Sequence, residues 1–137
     1  MIPLSHDHHD ALLLAWRLRT GDLSKREPEV RTKHVSAFFD YRLINHLKLE
    51  EELLFPAIGP VLGVEASLID LLPGDHRELR AKVAAIKTGG QGQVDSFCAL
   101  LERHIRTEER QLFVLAQNRM KPAEMVELGR QIKAQHR

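Results

Sequence analysis

The chain has 137 residues, 43% of them hydrophobic, which suits one domain with one buried core at the usual ~100 to 200 residues per domain. Twenty Lys and Arg against 19 Asp and Glu leave a formal charge of +1, with no run of five or six like charges, so neither a nucleic-acid-binding arm nor an acidic tail is expected. The single cysteine, Cys98, rules out an internal disulfide, the apolar runs fall far short of the ~20 residues of a membrane span, and Met1-Ile2-Pro3-Leu4 lacks the basic start of a signal peptide. A cytoplasmic protein with no membrane partner is expected.

The first helix is expected from about Ser5, an N-cap type of residue, to Arg19, before the Thr20-Gly21-Asp22 break. Its apolar stripe reads His9, Leu12, Leu13 and Trp16. The second runs from Pro28, suited to a first helical turn, to Phe55, with the stripe Val35, Phe39, Leu43, His46, Glu50, Leu53 and Leu54. A short piece over Glu65 to Leu71 precedes a longer third helix from Pro73 to Lys87, whose stripe is Leu72, His76, Leu79, Val83 and Ile86. The fourth, from about Gln93 to Asn118, carries Val94, Phe97, Leu101, His104, Glu108, Leu112 and Leu115. A short fifth helix spans Pro122 to about Gln135, and no convincing strand pattern occurs. Four substantial helices with short connections predict an all-α, up-down-up-down four-helix bundle with a short C-terminal fifth helix, a single domain over residues 1–137.

Each of the four long stripes carries a histidine, and two also carry a glutamate. Burying ionised carboxylates against Leu and Phe alone would cost several kcal/mol, whereas a cation at the bundle centre satisfies all six residues. One His-x-x-x-Glu is weak evidence, since it also describes a surface pair one helical turn apart. The repeat is stronger: His46-Leu-Lys-Leu-Glu50-Glu51-Glu52-Leu53-Leu54-Phe55 aligns without gaps on His104-Ile-Arg-Thr-Glu108-Glu109-Arg110-Gln111-Leu112-Phe113, with five identities in ten. The partner helices repeat as His9-x-x-Leu12 and His76-x-x-Leu79. Two helical hairpins, each giving one His and one His-x-x-x-Glu, read as two halves of a two-metal site.

On His8 to Leu12, His46-x-x-x-Glu50-Glu51-x-Leu-Leu-Phe-Pro56, Asp75-His76-x-x-Leu79 and His104-x-x-x-Glu108-Glu109-x-x-Leu-Phe113, the chain resembles the hemerythrin-like, HHE cation-binding domains over about residues 4 to 118. The resemblance implies a non-haem di-iron centre with His9, His46, His76 and His104 as terminal ligands and Glu50 and Glu108 as bridges. His8 rivals His9, but shares its face with Ala11, Leu12 and Ala15, a weaker stripe, so His9 is preferred. The chain departs from the oxygen-carrying hemerythrins in having Arg80 four after His76, where they carry a second histidine, and Glu108 four after His104, where they carry an aspartate at five. Glu51 and Glu109, turned about 100° off the core face, are expected in outer or solvated roles, and His6, His34 and His136 at the surface. Tyr41 is expected between helices and Cys98 in the core.

Mixed imidazole and carboxylate donors suit two iron ions, and manganese and zinc fit the same set. Two histidines and two shared carboxylates per ion leave open positions for a small diatomic or peroxide ligand. Three functions are compatible with these residues: a centre that binds or senses O₂ or related small oxidants, a catalase-like or peroxidase-like enzyme removing hydrogen peroxide, and a metal-free helical interaction module.

Overall fold

The computed structural model describes residues 2–136. Among the described residues there are five helices and no strand. α1 is Ile2–Arg19, α2 covers residues 28–58, α3 is Leu68–Lys87, α4 covers residues 94–119 and α5 is Pro122–Gln135. The fold is therefore the all-α bundle with a short C-terminal helix. α1 packs on α4, α4 on α3 and α3 on the first part of α2, while α5 lies against α1 and the second half of α2. No helix among the described residues is long and apolar enough to cross a membrane.

Prolines explain where the helix limits differ from expectation. α1 begins at Ile2, with Pro3 in its first turn and Ser5 inside the helix rather than capping it. α2 continues through Pro56 to Ile58, because Pro56 falls in the first turn of an α segment that follows a π turn. α3 is one helix with Pro73 inside it. Leu68 and Leu72, on the N-terminal side of that proline, are both buried. At ~1.5 to 3 kcal/mol per buried leucine they offset the ~3 kcal/mol of an interior proline.

Among the described residues three π turns interrupt the α geometry, at Phe39–Leu43, Glu50–Leu54 and Glu108–Leu112. The last two open on equivalent residues of the internal repeat, and in each the N–H of the phenylalanine five residues on donates to the glutamate carbonyl. In an unbroken α-helix five residues would leave that phenylalanine about 140° from the glutamate. The wider turn returns it to the same side. Hence Phe55, Phe113 and Ala116 are buried, whereas Leu53 and Leu115, expected on the stripes, are only partly covered.

α1 turns a different face inward from the one its bulky residues suggest. Leu4, Asp7, His8, Ala11, Leu14, Ala15 and Leu18 are buried, while Leu13 is 49% and Trp16 55% exposed. Ala11 and Ala15 present small side chains to the neighbouring helices, and Trp16 lies over Gly21, where a Cβ would stand 2.6 Å from its ring. Two apolar clusters fill the bundle. One contains Ala11, Leu47, Leu79 and Ile105; the other contains Leu4, Leu54, Leu72 and Leu112. Along α1 to α4 the buried polar residues fall between members of the two clusters, which sets a polar layer across the interior.

Candidate metal centre

Each of α1 to α4 sends one histidine into this layer, His8, His46, His76 and His104, and α2 and α4 add Glu50 and Glu108. The Nε2 atoms of His8 and His46 are 3.1 Å apart, as are those of His76 and His104. Glu50 reaches all four rings: Oε2 is 3.2 Å from His46 and 3.6 Å from His8, and Oε1 is 2.9 Å from His76 and 3.6 Å from His104. Glu108 Oε1 lies against His104 Nε2 and 3.7 Å from His8. The result is two overlapping quartets, His8, His46, Glu50, Glu108 and His76, His104, Glu50, Glu108, each with its donor atoms within 4.8 Å of one another.

The opposite edge of every ring is held by a carboxylate. His8 Nδ1 is 2.9 Å from Glu109, His46 Nδ1 2.9 Å from Asp7, His76 Nδ1 2.6 Å from Glu51 and His104 Nδ1 3.1 Å from Asp75. With Nδ1–H donating outward, each Nε2 turns its lone pair inward, the arrangement of metal-ligating histidines. Lone pairs facing each other at 3.1 Å repel unless a proton or cation lies between them. Glu50 Oε2 and both carboxylate oxygens of Glu108 are buried without a hydrogen-bond partner. Its contact with His104 notwithstanding, Glu108 lacks hydrogen-bond geometry there. Nitrogen and oxygen donors converging on unpartnered, buried carboxylates fit a pair of cations.

The electrostatics of the chain agree. Burial works against a charged His46, yet the negative charge of Glu50 and the hydrogen bond to Asp7 raise it to about 10. Burial and the charge of Glu50 push Glu108 up to about 7. Glu50 is just as buried but is held well below the usual carboxylate range by the charge of His46 and by its hydrogen bonds. His8 and His104 are likewise raised by the surrounding carboxylates in spite of burial. The chain thus holds protons where a cation would supply positive charge.

The pseudo-twofold of the repeat extends beyond the six central residues. Asp7-His8 and Asp75-His76 are equivalent dipeptides, and each aspartate holds the histidine of its own hairpin partner, His46 or His104. Glu51 and Glu109 instead hold the histidine of the other hairpin. Phe113 stacks on His8 at 5.7 Å between ring centroids, and Phe55 tilts over His76 at 5.4 Å. Arg80 grips Glu51 with two hydrogen bonds of 2.7 and 3.1 Å, so it acts on His76 through that carboxylate.

The structure brings together His46, Glu50, His76, His104 and Glu108 of the expected ligands, but not His9. His9 is exposed and His8 takes its place. One residue turns an α-helix by about 100°, and the small Ala11 and Ala15 settle which face of α1 turns inward. The missed signal was the repeated Asp-His dipeptide, which also marks Asp7 and Asp75. His8→Ala is accordingly expected to lower the bound metal and His9→Ala to leave it unchanged, a difference that elemental analysis of the two variants reads directly. Tyr41 is 81% exposed and lies outside the helix interfaces. Cys98 is a buried core residue whose thiol burial pushes up to about 12. His136, expected at the surface, reaches Asp7.

Beside the quartet of His8 and His46 lies a small pocket of about 10 Å³, lined by His8, His46, His104, Phe38, Leu43 and Leu101 among others. Its size suits about one water-sized molecule.

Fold and centre together define an all-helical bundle with a buried imidazole–carboxylate layer suited to cations. The sequence model of the hemerythrin HHE cation binding domain matches residues 1–116, and the chain belongs to this family. No curated protein and no solved structure matches the chain.

Proposed function

We propose that the chain is a non-haem di-iron protein whose centre binds, senses or reacts with O₂ or related small oxidants. His8 and His46 would hold one ion, His76 and His104 the other, with Glu50 and Glu108 shared. The observation that carries this reading is the pair of overlapping quartets that share both carboxylates. Iron, when bound, supplies redox chemistry and open positions for a small ligand. The chain's own residues do the rest. Glu50 and Glu108 bring two negative charges toward the +4 of two divalent ions. Asp7, Glu51, Asp75 and Glu109 fix the rings, and Phe55 and Phe113 cover His76 and His8. The pocket at His8 and His46 has no room for a bulky substrate. A cytoplasmic location belongs to the same reading.

Arg80 occupies the position four after His76, so α3 gives one imidazole to the site, and this supports reaction with the oxidant over reversible carriage. Protein expressed with added iron is expected to hold about two ions per chain. The reduced form, exposed to O₂ and then deoxygenated, is expected not to recover its colourless state. Recovery over repeated cycles would make O₂ carriage the better reading. Gas evolution from added peroxide, lost in Glu108→Ala, would make the protein a peroxide-removing enzyme. Metal content persistently near zero would favour the helical interaction module.

A further inference from the structure

Besides Arg80, whose equivalent position in α1 is Leu12, the pseudo-twofold fails at Asp7. Asp7 and Asp75 play the same part, but Asp7 Oδ2, which accepts from His46 Nδ1 at 2.9 Å, also accepts from His136 Nε2 at 2.8 Å. Arg42 approaches Asp7 Oδ1 at 3.5 Å. Among the described residues Asp75 meets His104 and, at 3.7 Å, only the largely exposed Arg103. His136 follows the last turn of α5, and α5 is docked by Leu128 and Ile132 in the same apolar cluster as Leu4 and Leu54. Packing therefore delivers this imidazole to Asp7. α5 also lies outside the residues that the family model matches.

We propose that His136 is a positioning residue. Through Asp7 it orients His46, and it holds that ring more rigidly than His104, whose Asp75 has no second imidazole donor among the described residues. An aspartate oxygen shared between two N–H donors has less freedom to swing than one with a single buried donor, so the Nδ1–H of His46 opens to solvent less often. The consequence for metal rests on the di-iron reading above, namely that the ion held by His46 leaves more slowly with His136 in place than without it.

The test uses the full ¹⁵N-labelled chain after chelator treatment, and follows hydrogen exchange of the Nδ1–H groups of His46 and His104. His136→Ala is expected to speed exchange at His46 by roughly tenfold and to leave His104 unchanged, while His136→Gln, which keeps an N–H donor, restores much of the protection. Equal acceleration at both histidines would reduce α5 to simple packing and overturn the proposal, as would no change at either. In protein loaded anaerobically with ferrous iron, His136→Ala should release one of the two ions to a chromogenic chelator about tenfold faster, with the other unaffected. A chain that takes up no iron would sink the di-iron reading, while the exchange comparison would still decide the role of His136.

Discussion

Glu108→Gln should lose the paired centre and yet give a more stable chain wherever metal is withheld. Glu108 belongs to both quartets, so the amide weakens both half-sites at once. The expected loss of affinity exceeds the ~10- to 100-fold typical of an outer partner of a ligand, and iron content should fall below one ion per chain. The opposite effect on stability follows from the buried charge. Burial and Glu50 raise Glu108 from an ordinary 4.5 to about 7, so the folded chain binds this proton more tightly than the unfolded one. A carboxylate raised in this way costs stability as pH rises from about 4.5 through about 7, and the cost is fully present above that. Glutamine has no such cost. Chelator-treated Glu108→Gln should therefore exceed chelator-treated wild type by about 1 to 3 kcal/mol at pH 8 in urea denaturation, with the gap closing near pH 5. Lower stability of the variant at pH 8 would mean that Glu108 is satisfied by the protein alone, and a variant retaining full iron would remove it from the centre.

Stripping metal from the wild type is expected to lower its melting temperature by roughly 10 °C or more. A ligand present at 1,000 times its dissociation constant adds about 4 kcal/mol, and a chain of this size shifts by a few degrees per kcal/mol. The difference should also widen with pH. His46 rises from an ordinary 6.5 to about 10 in the folded chain, so its favourable contribution is complete below 6.5 and is lost as pH climbs through 10. Glu108 acts in the same direction through about 7. The stripped protein therefore loses stability between about pH 5 and 10. Cation binding instead strengthens over that range, because the protons on His46 and Glu108 must leave before their donor atoms can ligate. Calorimetry of stripped and iron-loaded protein at pH 6 and pH 9 checks both signs. Equal melting temperatures at both values would show that the six residues do not share a cation.

Much of this was legible in the sequence. Helical periodicity and the Gly and Pro breaks marked five helices, because an amphipathic stripe is a local property that the sequence states directly. The gapless repeat of His-x-x-x-Glu-Glu told that two helices present equivalent donors one turn apart. The local exceptions were less visible. A π turn at Glu50 and another at Glu108 moved Leu53 and Leu115 toward the edge and brought Phe55 and Phe113 over the histidines. A pattern search at 3.6 residues per turn holds one phase along the helix, so it passes over an inserted residue.

By itself the sequence determined the helices, the residue types at the centre and the twofold plan that joins them. The choice of His8 over His9 was made by tertiary structure, since it depends on how far α1 is rotated about its own axis. That rotation follows from packing Ala11, Ala15 and Leu18 against neighbouring helices, whereas the bulk of Leu13 and Trp16 pointed to another face. The outer hydrogen bonds from Asp7, Glu51, Asp75 and Glu109 also awaited the fold, as each joins residues of different helices. His136 and Asp7 stand 129 positions apart, and only the docking of Leu128 and Ile132 brings them together. Spacing within a helix fixes which side chains share a face, but the pairing of faces depends on the volumes of all the helices at once.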